Sequence, residues 1–108
     1  MAKVRLVFSY HGYPMRKADE VVRANITGDD DWQENLLYYV NEYGLDASSA
    51  EIGKPFPADA DEGFVAVRVP VTVTHSGNAK FTLGKYCEDA VDYETGFYCD
   101  SCYWEEVE

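Results

Sequence analysis

Gly63-Phe-Val-Ala-Val-Arg-Val-Pro-Val-Thr-Val-Thr-His75 is the stretch that decides the fold. Val65, Val67, Val69, Val71 and Val73 stand at every second position, with Phe64, Ala66, Arg68, Thr72 and Thr74 between them. A period of two puts the valines on one face of a β-strand. Pro70 has no amide proton for a ladder, which predicts an edge strand, or a bend at that position. The next three residues, Ser76-Gly77-Asn78, read as hairpin chemistry. A returning strand is expected from Ala79 to about Cys87, with Phe81 and Leu83 facing inward. An acid-rich loop follows over 88–96, and a last short strand over 97–104.

Upstream, residues 3–11 alternate in the same way. Val4, Leu6, Phe8 and Tyr10 fall on one face, and Lys3, Arg5, Ser9 and His11 on the other. Residues 15–27 admit two readings: a helix entered at Pro14, or a strand over 20–27 with Val22, Ala24 and Ile26 inward. The β-branched residues favour the strand. Residues 30–43 read as the main helix. Asp30 or Asp31 can N-cap it, with Gln33 or Glu34 at capping-box spacing. Trp32, Leu36, Tyr39, Val40 and Tyr43 form its apolar stripe. Gly44 stands where a left-handed cap belongs, followed by apolar Leu45. Residues 45–63, rich in Ser, Gly and Pro, read as a linker without a long element. The expected fold is a small single α+β domain spanning 1–108, an antiparallel sheet of four to five strands with one main helix.

The chain has 108 residues and a net charge of −11. Its apolar and aromatic content suffices for a packed core. The charge argues against direct nucleic-acid binding, which needs a basic footprint, and against an anionic membrane surface. No apolar run approaches membrane-spanning length, and no secretory signal pattern opens the sequence. Three cysteines, an odd count, suit a reducing cytoplasm better than a disulfide scaffold.

Charge falls in blocks. Residues 1–23 sum to +3, 24–63 to −9, 64–85 to +3 and 86–108 to −8. The last block holds eight carboxylates, no Lys or Arg, and six aromatics, too many for a disordered tail. Such segregation predicts a contact surface for a basic protein, built from Asp29, Asp30, Asp31 and Glu34 at the helix start. Glu88, Asp89, Asp92, Glu94, Glu105 and Glu106 would supply its second part, with Tyr98 and Trp104 as aromatic anchors. Duplex DNA carries one phosphate per about 1.7 Å of axis. Carboxylates repeated at i, i+4 on a helix, or along a strand face, can imitate that density and occupy a groove lined with Lys and Arg. In size and charge the chain resembles phage-encoded inhibitors of host defence nucleases, including anti-CRISPR and anti-restriction proteins. That resemblance implies a host-cell setting and inhibition by occlusion. It rests on no motif, so no residue roles are carried over from it. The competing reading is a solvated, salt-adapted surface with acids spread evenly. The aromatic surplus also allows self-association, a homodimer through the edge strand containing Pro70.

Cys99-Asp100-Ser101-Cys102 forms a Cys-x-x-Cys, and with Cys87 and His75 it would complete a zinc-binding Cys3His set in a structural module. As a strand, 97–104 would point Cys99 and Cys102 to opposite faces, poor ligand geometry. The default is reduced structural thiols and no cofactor. No nucleophile–base pair, carboxylate frame or phosphate-cradling glycine loop can be assembled, so no enzymatic activity is expected.

Overall fold

The computed structural model describes residues 1–92 and 95–107. Two ten-residue strands form its centre: β1, Ala2–His11, and β4, Ala66–His75. They pair antiparallel in one unbroken register from Ala2 with His75 to His11 with Ala66. That register brings Val4, Leu6, Phe8 and Tyr10 opposite Val73, Val71, Val69 and Val67, and all eight are buried. The two alternating patterns thus combine into one apolar face. Among the described residues the sheet has five strands, in the order β2-β4-β1-β5. Here β2 is Ala47–Ile52 and β5 is Ser101–Val107, while the two-residue β3, Phe56–Pro57, also pairs with β4. Every pairing is antiparallel.

Three α-helices join the strands: α1, Ala18–Val22, α2, Trp32–Glu42, and α3, Ala79–Ala90. Their buried residues belong to one core with the apolar sheet face. The result is a two-layer α+β domain with helices on one side of an antiparallel sheet. No helix of the described residues is long and apolar enough to cross a membrane.

The predicted returning strand over 79–87 is instead α3. Asn78 caps it, its side-chain oxygen accepting from the Lys80 and Phe81 amides at 3.1 and 3.4 Å. Ala79, Thr82, Leu83, Tyr86, Cys87 and Ala90 then form a buried stripe at helical spacing, and Phe81 is left 85 % exposed. Ser-Gly-Asn is a helix entry here, because the packing stripe has a period of 3.6 and not of 2.

Residues 15–27 are likewise helical. A 3₁₀ turn over Met15–Lys17 leads into α1, and a π-turn follows over Arg23–Thr27. Ala18, Val21 and Ile26 are buried, while Ala24, inward in the strand reading, is exposed. The π-turn widens the helix so that Ile26 stays on the packed side, with the Asn25 side-chain Nδ2 donating to the Val21 carbonyl at 2.9 Å. The linker over 45–63 holds β2, β3 and a 3₁₀ turn, Ala60–Glu62, closed by a capping box between Asp59 and Glu62.

Pro70 lies in a central strand, and the sheet tolerates it because the neighbouring strand is broken opposite it. Its carbonyl accepts from the Gly53 amide at 2.8 Å, so the edge lacking an N–H faces the gap between β2 and β3. The edge through which a homodimer was expected is therefore covered. Val65, outside β4, is exposed. For α2, Asp31 occupies the N-cap position but makes no side-chain capping bond. The C-terminal expectation holds: Gly44 has φ +94°, Leu45 donates back to the Val40 carbonyl at 3.4 Å, and Leu45 is buried.

Candidate binding surface

On α2, Leu36 and Val40 point into the core and Trp32, Tyr39 and Tyr43 are half-buried. The outer face carries Glu34, Tyr38 and Glu42 at four-residue spacing, all exposed. Glu34 and Glu42 are therefore about 12 Å apart along the axis. Asp29, Asp30 and Asp31, also exposed, extend this row past the helix start. Among the described residues four ion pairs engage Glu105, Glu20, Glu62 and Asp89, and none engages Asp29, Asp30, Asp31 or Glu34. Tyr38 is 61 % exposed. A hydrogen bond to Glu42 and that carboxylate's charge raise its hydroxyl above the ordinary tyrosine range.

The last turn of α3, and residues 96 and 97 beyond it, meet α2. Tyr43 donates to Asp89 at 2.5 Å and stacks edge-on against Tyr86 at 5.6 Å. This hydrogen bond, aided by Lys85, holds the Asp89 carboxyl below its usual range. Further on, Gly96 runs so close to Tyr39 that an added Cβ would stand 2.6 Å from its ring. Gly96 and Phe97 then line a cleft of about 230 Å³ with Asn25, Gly28, Asp29 and Asn35. Exposed Glu88 and Asp92 flank Asp89. The second block thus meets α2 at two points, Asp29 sharing the cleft with Gly96 and Phe97 near the helix start and Asp89 bonded to Tyr43 at the helix end. Glu94 lies outside the described residues.

Four other residues expected at this surface are elsewhere. Tyr98 packs beside Tyr10 and donates to Asp100, which also accepts the His11 amide, so it sits at the end of β1. Trp104 is half-buried against the core. Glu105 points to the helix-free face of the sheet, where it pairs with Arg5 at 2.8 Å. Glu106 shares a groove with Lys80 at the start of α3, about 14 Å of helix from Asp89. A strand sends successive side chains to opposite faces, so adjacent Glu105 and Glu106 cannot serve one surface. Tyr38 and Glu42, outward on the helix by sequence, and Tyr43 were not among the residues expected at this surface. The i, i+4 row from Glu34 was the signal for the first two, whereas the Tyr43–Asp89 contact is tertiary.

Arg5 and Arg68 lie on the helix-free face of the sheet. Arg68 takes a bidentate bond with Glu62, 2.7 and 2.8 Å, on the helix-free face. It stands 5.9 and 5.8 Å from the ring centres of Phe64 and Tyr103.

The Cys3His set does not assemble. His75 pairs with Ala2 and Cys102 with Phe8, six residues along β1 and so about 20 Å apart. Cys99 and Cys102 do not point to opposite faces either. Residues 97–100 precede β5, and both thiols turn towards α3, Cys99 to the Ala90 carbonyl and Cys102 to Cys87. Among the described residues no group of three His, Cys, Asp or Glu side chains has metal-binding geometry.

No family model, no curated protein and no solved structure matches this chain. Fold and surface together define a small α+β domain whose main helix presents an exposed face with Glu34, Tyr38 and Glu42.

Proposed function

We propose that this protein binds and inhibits a larger protein by covering a basic, nucleic-acid-binding site on it. The observation that carries the reading is the row Asp29, Asp30, Asp31, Glu34 and Glu42, exposed and without an ion pair among the described residues, while the ion pairs of Arg5 and Arg68 lie on the helix-free face of the sheet. Carboxylates kept free of internal cations are available to Lys and Arg of a partner, and Tyr38 supplies an aromatic anchor among them. Clustered charge of one sign steers encounter and makes it salt-sensitive. Occlusion needs no catalytic group, and the partner's basic groove would otherwise hold phosphates. This is the mode that the likeness to phage-encoded inhibitors implies.

The test is capture of partners by the immobilised chain at low salt, followed by elution with salt and, separately, with duplex DNA. A specific partner should be released by both, and Asp29→Asn/Asp30→Asn/Asp31→Asn/Glu34→Gln should weaken its capture. Release by salt but not by DNA removes the nucleic-acid-site part of the reading. Capture indifferent to salt and to the four substitutions removes it altogether.

A further inference from the structure

The three cysteines, set aside as metal ligands, lie close together on the α3 side of β5. Cys87 belongs to the buried stripe of α3, and Cys102 is the second residue of β5, held in register with Phe8. The Cys102 thiol donates to the Cys87 sulfur at 3.2 Å. Neither sulfur depends on a mobile tail for its place, since one is carried by a packed helix and the other by a paired strand. An approach of about 1 Å brings them to bonding distance. Cys99 is engaged separately. It is buried, its thiol points to the Ala90 carbonyl at 3.7 Å, and burial pushes it up to about 12. The odd cysteine count therefore resolves into a pair and a bystander.

We propose that Cys87 and Cys102 are a modification site for a hydroperoxide, which converts them to an intramolecular disulfide clasping the acidic segment 88–101 at both ends. Cys102 is partly buried and Cys87 buried, so the peroxide reaches Cys102 first. Its thiolate attacks one peroxide oxygen, the O–O bond breaks, and the departing hydroxide takes a proton to become water. The Cys102 sulfenic acid so formed is attacked by the Cys87 thiolate, the S–S bond closes, and the hydroxyl leaves as a second water. In total two thiols lose two electrons and two protons, and one hydrogen peroxide becomes two waters. The hydrogen bond to Cys87 and burial raise the Cys102 thiol well above its ordinary range. Thiolate is therefore scarce near neutral pH, and the reaction is a slow, stoichiometric modification rather than peroxidase turnover.

The consequence for the acidic side rests on the proposed binding function. A bond between residues 87 and 102 closes a ring that includes Asp89, the carboxylate that accepts from Tyr43 at the end of α2. Oxidation thereby ties the chain on both sides of that carboxylate.

The bond itself is tested without any partner. The reduced full chain is treated with excess hydrogen peroxide, its remaining thiols are alkylated, and its peptides are mapped by mass spectrometry. The expected product is a monomer two hydrogens lighter, with Cys87 joined to Cys102 and Cys99 alkylated. Its melting temperature should rise by roughly 10 °C, the scale loop-closure entropy sets for a ring of this size. Dithiothreitol should reverse both changes. Cys99→Ser should leave the product intact, and Cys102→Ser should abolish it while circular dichroism shows the fold retained. A cross-link that includes Cys99, linkage only between chains, or Cys102 sulfinic acid without a cross-link overturns the proposal. Mapping reads the bond whether or not the acidic side binds anything, so failure here is distinct from failure of the binding function.

Discussion

Three substitutions in α3 test the most consequential feature of the fold, the helix in place of a returning strand. Phe81 is 85 % exposed, so Phe81→Lys removes little buried area. Exposed sites without special contacts change stability by no more than about 0.5 kcal/mol, and Lys is the slightly better helix former. Leu83, two residues on, is fully buried. Leu83→Ala removes its methyl groups from the core and leaves a cavity, a loss of about 2.7–5 kcal/mol. That is a large share of the roughly 5–15 kcal/mol by which a domain is stable. Gly84 lies inside α3 with nothing within 4 Å of the place a Cβ would take. Gly84→Ala should therefore stabilise by about 0.5–1 kcal/mol, by reducing the freedom of the unfolded chain. Urea titration with a common slope measures all three. A strand would place Phe81 and Leu83 on the same face and make both costly to replace. A loss of more than about 2 kcal/mol for Phe81→Lys, where exposure allows only tenths, would refute the helical reading.

Two further outcomes follow from the packing. Glu62 is held below the usual glutamate range by its hydrogen bonds from Arg68 and then from the Asp59 amide. A carboxyl depressed in the folded state contributes stability above its unfolded value and loses it as pH falls through its folded value. The melting-temperature advantage of wild type over Glu62→Gln should thus be constant near neutrality, begin to fall near the unfolded value of about pH 4.3 and disappear as pH drops through the lower folded value; a difference that does not change on acidification contradicts this. Gly96 has φ +87° and an added Cβ would meet Tyr39, so Gly96→Ala should destabilise by about 2 kcal/mol. Denaturant titration that finds less than about 0.5 kcal/mol, the range of neutral surface changes, removes the close approach of the 95–97 segment to α2.

What could be read from sequence followed local periodicity. The alternation over residues 3–11 and 63–75 identified β1 and β4, because a period of two has one meaning when β-branched residues carry it over ten positions. The 3.6 period from Trp32, closed by Gly44, identified α2, and the outward set Glu34, Tyr38 and Glu42 followed from the same period. At 79–87 the pattern was short and compatible with either period. Asn78 is a turn residue in one context and a helix cap in the other, and packing against the sheet chose between them. At 20–27 two β-branched residues outweighed the buried spacing of Ala18, Val21 and Ile26, although tertiary packing overrides so weak a preference.

The sequence by itself determined the α+β class, the two central strands, the main helix and the division of charge into blocks, since each depends on neighbours in the chain. Only the tertiary structure decided which residues meet. It seated Pro70 in a central strand by breaking the strand beside it. It set Asp89 against Tyr43 at the end of α2 and sent Glu105 and Glu106 away. It turned a suspected metal set into a thiol pair by placing Cys87 and Cys102 together, with His75 six positions along β1. The spacing of residues along a chain leaves their separation open once the chain has turned, and pairing register and helix packing supply what spacing lacks.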